Sequence, residues 1–355
     1  MMQISPETQL FIREHSSDDV RVLALQAKKY PDIDMPTAIT QIAGRKVAAE
    51  KIPSWWEIEK IWYPKHLSLE QCSSEITARY KARLLQGDSL TDLTGGFGID
   101  CSFLATGFKS ATYVERQEEL CEIAAHNFPV LNLNHINIKN EDGVTYLQAM
   151  SPVDCLFLDP ARRNEHGGKT VAISDCEPNV AELEELLLQK ANRVMIKLSP
   201  MLDLSLALKE LKQTQEVHIL SVNNECKELL ILLGQTSPAE ISIHCVNLFT
   251  KGTQKEQHFV FTREQEQCSE CTYTDSLETY LYEPNASLLK AGAFRSIAAA
   301  YPVRKLHPNS HLYTSDTFIE NFPGRIFRIV NQCSFNKKEV KENLADLKKA
   351  NVTVR

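Results

Sequence analysis

The chain has 355 residues, 43% of them hydrophobic, enough for a full-sized α/β domain plus one or two smaller ones and too many for a single core. A formal net charge of −7 excludes a protein that binds polyanions over its whole surface, so nucleic-acid contact requires a local basic patch. There is no basic, then apolar, then small-residue leader, and no apolar run near the roughly 20 residues of a membrane span; a soluble, cytoplasmic protein is expected.

Asp18–Lys29 and Met35–Glu50 carry apolar residues at helical spacing, with turns at Pro31, Pro36 and Pro53, so residues 1–70 read as a helical N-terminal domain. Trp55, Trp56, Trp62 and Tyr63 close it and read as core, with stacking on nucleobases the alternative. The helix that follows, around Ile76–Lys81, has Ser73 or Ser74 as its cap. From Ser89 to Leu233 the pattern alternates regularly: strands at 89–94, 111–115, 135–138, 153–158 and 193–198, with helices at 98–106, 117–128, 143–149, 178–190 and 203–213. This predicts a parallel sheet covered on both faces. Two further apolar runs, 217–221 and 229–233, are expected as an antiparallel hairpin across the link Asn223–Glu228.

Residues 71–265 thus form the main domain, ending in a β-hairpin extension at 241–262. A polar stretch, 265–276, reads as a linker and 277–318 as a small α+β domain. Residues 319–355 read as strand, helix and strand, the chain stopping within the last. This tail is basic, with Arg325, Arg328, Lys337, Lys338, Lys341, Lys348, Lys349 and Arg355 against Glu320, Glu339, Glu342 and Asp346. The ten scattered cysteines fit reduced thiols rather than a disulfide framework. Only Cys268 and Cys271 have metal-ligand spacing, and no second such pair completes a site, so no metal is expected.

The chemistry centres on Leu90–Asp100, a strand, a glycine turn and a helix start. Gly95, Gly96 and Gly98 let the backbone bend sharply and approach a ligand. A dinucleotide fingerprint would need a third glycine where Cys101 stands. Instead an acid, Asp92, precedes the turn, and a second, Glu115, ends the next strand, a pair suited to a ligand with a cationic amino-acid end and a ribose.

On these residues the chain resembles the class I S-adenosylmethionine (SAM) methyltransferases, which implies a Rossmann-like seven-stranded sheet. The resemblance implies a SAM site at Asp92, Thr94, Gly95, Gly96 and Gly98, with Glu115 on the ribose hydroxyls and Asp142, in Asn140-Glu141-Asp142-Gly143, at the adenine amino group. The segment Ser73-Ser74-Glu75-Ile76-Thr77-Ala78 resembles the mouth of the SAM pocket in trimethylguanosine synthase-type RNA methyltransferases and in a bacterial relative with a THUMP-like C-terminal domain. That adds Ser74 to the site, makes 277–318 ferredoxin-like, and makes 319–355 the start of a truncated THUMP-like domain.

The fourth strand ends in Asp159-Pro160-Ala161-Arg162-Arg163, and strand ends of an open parallel sheet face the ligand. The counterpart motif is D/N-P-P-Y/F/W, which holds an acceptor amine and touches the cofactor; here Ala161 and Arg162 replace its second proline and its aromatic. Arg162, Arg163 and Lys169 beside Gly167-Gly168 form a basic loop suited to gripping a polynucleotide. Lys197, at the fifth strand end, joins Asp159 and Glu228 in a catalytic set that resembles the Lys-Asp-Lys-Glu group of ribose 2′-O-methyltransferases, with Lys81 as the other lysine. The residues argue against C5-pyrimidine methylation, which needs a cysteine nucleophile where the fourth and fifth strands end in Asp-Pro-Ala-Arg and Leu-Ser-Pro. The expected function is SAM-dependent methylation of RNA, at a base nitrogen or a ribose hydroxyl. A small-molecule or protein methyltransferase and a SAM-binding module without turnover are the alternatives.

Overall fold

The computed structural model describes residues 4–162, 172–236, 238–334 and 336–345. Its contacts divide it into two units, Met1–Gln215 with Leu229–Pro238, and Glu216–Glu228 with Ala239–Arg355. The boundary expected near residue 265 therefore falls earlier in the chain. No helix among the described residues is long and apolar enough to cross a membrane.

In the first unit, Ser89–Asp92 (β1), Ser110–Glu115 (β2), Ile136–Asn140 (β3), Val153–Leu158 (β4) and Ala191–Leu198 (β5) run parallel in the order β3-β2-β1-β4-β5. Leu156, Val194, Met195 and Ile196 are fully buried, as expected of strands covered on both faces. Thr214–Val222 (β6) turns through Asn223-Asn224 into Glu225–Gly234 (β7), which pairs antiparallel with β5, Arg193 opposite Gly234 and Leu198 opposite Leu229. The link read as six residues is thus a two-residue turn. Asn223 and Asn224 both take positive φ (49° and 67°), a conformation asparagine tolerates, and β7 starts at Glu225, ahead of Glu228.

These seven strands have the class I methyltransferase arrangement. The sheet extends to nine, in the order β9-β8-β6-β7-β5-β4-β1-β2-β3. Ser242–Leu248 (β8) pairs parallel with β6, and Glu256–Thr262 (β9) pairs antiparallel with β8. The hairpin expected at 241–262 is thus β8 and β9, paired onto β6 within the second unit.

The N-terminal helices have one small core of their own, built on Phe11, Leu23, Met35, Ala38 and Ile42. A second core joins Ile52, Trp55, Ile61 and Leu69 to Phe97, Ile99, Leu120 and Ile123 of the sheet domain, so a boundary at residue 70 cuts through packed side chains. Trp55 stands edge-on to Phe97 at 5.2 Å and Trp62 stacks on His126 at 3.7 Å; Trp56 is 41% exposed.

In the second unit, the stretch read as a linker opens as a helix, Arg263–Cys268, because Thr262 and Gln265 form a reciprocal capping box. Tyr280–Pro284 (β10), Arg304–Lys305 (β11), Tyr313–Ser315 (β12) and Gly324–Arg328 (β13) make a four-stranded antiparallel sheet in the order β11-β12-β10-β13. Helix Ala286–Ala291 packs against β8, and the Tyr313 hydroxyl donates to Phe294 O (2.8 Å) at the start of helix Phe294–Ala300; Tyr282 and Phe322, ring centroids 4.9 Å apart, are buried with Tyr313. Pairing of β13 with β10 carries this domain past residue 318, and the strand expected to open the last domain belongs to it.

Candidate active site

The C-terminal ends of β1, β2, β4 and β5 bring the site together. After β1 the Leu93 N–H donates to Phe157 O (3.0 Å) and the Gly95 N–H to Val114 O (2.9 Å), tying the glycine turn to both flanking strands. Gly95 lies so close to Tyr113 that a Cβ would fall 2.3 Å from the ring. Gly98 has φ 86° and caps the helix Ile99–Ala105 in the left-handed conformation that favours glycine.

Asp92 is 1% exposed, and its Oδ1 accepts the Thr94 N–H at 3.0 Å. Its Oδ2 is buried and has no hydrogen-bond partner among the described residues. Burial pushes the carboxyl well above its usual range despite the Thr94 N–H, and the negative charges of Asp100, Asp159 and Glu115 add to the push. Glu115 accepts the Gly96 N–H on Oε2 (2.9 Å) and the Gln117 N–H on Oε1 (2.8 Å), leaving lone pairs for further donors. Asp142 is the N-cap of the helix Gly143–Ala149, its Oδ1 accepting the Val144 and Thr145 N–H groups, and it is exposed.

Beside the turn, lysines and aspartates alternate. Lys81, with no exposed surface, pairs with Asp100 Oδ1 at 2.9 Å and donates to Ser73 Oγ at 2.8 Å. Ser73 donates to Asp100 Oδ2 at 2.7 Å. Lys197 Nζ lies 3.5 Å from that Oδ2 and 2.5 Å from Asp159 Oδ2. The Asp159 N–H donates to Thr94 Oγ1 at 2.6 Å, which fixes the strand end against the glycine turn. Burial raises the Asp100 carboxyl, but Lys81 and Lys197 outweigh it and hold Asp100 below its usual value. For Asp159 burial wins over Lys197 and the carboxyl is raised; 36% of its side-chain surface is open, so water moderates the shift. Openness also separates the roles. Asp159 is the member a substrate can reach, whereas the side chains of Lys81, Asp100 and Lys197 are at most 10% exposed.

Sequence reasoning missed Asp100 and Ser73. Asp100 stands in the first turn of the helix after Gly98, where a cap or dipole role is the ordinary reading; only the fold shows that buried Lys81 needs it. Ser74, the serine placed in the site, instead hydrogen-bonds Thr77 Oγ1 at 3.2 Å, and Glu75 accepts the Ser54 N–H at 2.8 Å. Glu228 is buried in the second unit, on β7. The Arg162 backbone pairs with Cys176; Arg163 and Lys169 lie outside the described residues.

The fit to SAM is a matter of charge. A buried acid with an orphaned oxygen, beside a glycine turn and raised by three other acids, is relieved by a ligand carrying an ammonium and a sulfonium. Asp92, Gly95, Gly96, Gly98 and Glu115 would hold that ligand.

Comparison with solved structures finds a protein from Porphyromonas gingivalis W83, classed as a methyltransferase, that is 34% identical, with a TM-score of 0.85 over 99% of this chain and 88% of that one. An rRNA methylase from Streptococcus thermophilus matches at 14% identity and TM-score 0.33, over 45% of this chain and 93% of that one. A protein from Streptococcus mutans classed as a methyltransferase, solved in complex with SAH, matches at 14% identity and TM-score 0.33, over 45% and 96%. Residues 280–323 match a family model described as a ferredoxin-like domain. No curated protein matches the chain.

Proposed function

The chain belongs to the family of the Porphyromonas gingivalis W83 methyltransferase, and from that membership we propose that it is a SAM-dependent enzyme that methylates RNA. SAM, when bound, supplies a methyl group activated on a sulfonium. The protein's part is to hold the donor, present an acceptor in line and take the acceptor's proton.

The observation that carries the reading is the Lys81–Asp100–Lys197–Asp159 chain ending in one open carboxylate at the glycine turn. Asp159 accepts a hydrogen bond from an N–H or O–H of the acceptor and, with its affinity for a proton raised by burial, receives the proton that methylation releases. Lys197 holds that carboxylate in place, and Asp100, itself pinned by Lys81 and Ser73, holds Lys197.

RNA as substrate draws support from the second unit. Arg328, Lys337, Lys338 and Lys341 are exposed there, as is Phe327 at 45%, on a chain that is otherwise acidic. Cations there neutralise phosphates and an open aromatic stacks on bases. Replacing Lys337, Lys338 and Lys341 together by alanine should shallow the slope of log K against log salt by about 2 units for single-stranded RNA, at roughly 0.7 per phosphate. An unchanged slope, or no salt-dependent binding by the parent, turns the reading to a small-molecule or protein acceptor.

Asp159→Ala should keep SAM affinity within about twofold and lose methyl transfer to total RNA by about 100-fold or more. Calorimetry and transfer of labelled methyl check the two halves. Lost SAM binding with an intact fold would make Asp159 a cofactor ligand instead. Nucleoside mass spectrometry of RNA from a strain lacking the protein, against its parent, identifies the atom.

A further inference from the structure

The second unit carries a separate group of ligating side chains on one face of its strands. His218 on β6 stands opposite His244 on β8, and Glu216 opposite Ser242. Val246, two residues on from His244, stands opposite His258 on β9. Strand alternation puts Glu216, His218, His244 and His258 on the same face. They converge there: the His218 and His244 rings stack at 4.3 Å, and those of His244 and His258 at 5.3 Å. His218 Nε2 lies 3.2 Å from Glu216 Oε2, and His244 Nδ1 lies 3.2 Å from His258 Nε2. One donor atom from each of Glu216, His218 and His244 lies within 4.8 Å of the other two.

We propose that Glu216, His218 and His244 bind a divalent late-transition-metal ion, zinc in class, with His258 completing the set. Metal–donor bonds of about 2.0–2.1 Å at tetrahedral angles put neighbouring donors about 3.3 Å apart. The two separations of 3.2 Å already match edges of such a polyhedron, and a bound ion would draw in the donors of Glu216, His218 and His244 from within 4.8 Å of one another. Imidazole and carboxylate without thiolate suit zinc, nickel or copper and not calcium or magnesium.

The placement of the central imidazole, that of His244, agrees with this assignment: its Nδ1 faces His258 Nε2. Its other nitrogen, Nε2, lies 3.2 Å from Ser242 Oγ, the outer-shell contact that orients a ligating imidazole. Glu216 and His244 are half-buried and His258 exposed, which gives an ion a way in. Bound there, it would clamp β6, β8 and β9 to one another.

The test uses full-length protein stripped with EDTA and titrated with zinc chloride against a chromophoric chelator, with thermal unfolding in parallel. One equivalent should bind and raise the melting temperature, and His218→Asn or His244→Asn should weaken binding at least about a hundredfold. Cobalt in place of zinc should give ligand-field bands with no thiolate charge-transfer band, and Cys268→Ser with Cys271→Ser should leave binding unchanged. Absence of stoichiometric binding overturns the proposal, as does binding that survives both histidine variants or is lost with the cysteines. Should the histidine variants misfold by circular dichroism, Glu216→Gln decides: weaker zinc and a shifted cobalt spectrum support the site, and unchanged values overturn it.

Discussion

The two polar clusters manage burial in opposite ways. At the strand ends of β1, β4 and β5, charge is kept and neutralised pairwise: Lys81 against Asp100, Lys197 against Asp159. On β6, β8 and β9 the central group sheds its charge, and His244 stays neutral down to about pH 4. The difference follows from the side chains available. A lysine with no exposed surface is retained as a cation only beside a carboxylate, whereas an imidazole near its own pKa loses a proton at modest cost. The first arrangement leaves an open, directional carboxylate, Asp159; the second leaves a neutral imidazole, His244, at its centre. Asp92 belongs to neither, a buried acid with one oxygen unpartnered among the described residues.

Removing the pairing in the first cluster should have the largest effect. Asp100→Leu leaves Lys81 buried without its carboxylate and should cost about 3–5 kcal/mol in urea denaturation. A loss below about 1 kcal/mol would mean that the Lys81–Asp100 pair does not hold the fold together.

Next is the cofactor side. Glu115→Ala should weaken SAM by about ten- to a hundredfold, the worth of charge-assisted hydrogen bonds of roughly 1.5–3 kcal/mol, and calorimetry showing unchanged affinity sinks the assignment.

Asp92 sharpens the contrast because it should behave as a functional liability. Its folded-state pKa is raised, so the ligand-free protein binds that proton more tightly than the unfolded chain does. Stability then falls as pH rises from the ordinary carboxylate range through the raised value. Asp92→Asn should remove that slope, stabilise the ligand-free protein at neutral pH by about 1–2 kcal/mol and weaken SAM. If the variant is instead less stable and binds SAM as well as the parent, the acid is structural.

The smallest effect belongs to the histidines. His244 has a depressed folded-state pKa, so its contribution is present above about 6.5 and is lost as pH falls through about 4. Metal-free protein should lose about 1–2 kcal/mol over that window, allowing for partial contact with water, and His244→Gln should flatten the loss.

Much of this was legible in the chain itself. Alternating apolar runs from Ser89 to Leu233 specify the parallel sheet, because strands covered on both faces must be apolar throughout. The order acid, glycine turn, acid puts Asp92, Gly96 and Glu115 at one end of it, since period and direction decide which ends point together. What pattern could not give were pairings between residues far apart in sequence. Asp100 looks like a helix-start acid until Lys81 is buried against it, and Ser73 and Ser74 differ only in which hydroxyl faces Asp100. The two-residue turn at Asn223-Asn224 carried a local signal, but a polar run of six residues also suits a longer loop, so the start of β7 was decided by its pairing with β5. His218, His244 and His258 are spread over 40 residues with no motif spacing. Strand register alone sets them on one face, because cross-strand neighbours are fixed by hydrogen bonds made in the folded sheet and not by distance along the chain.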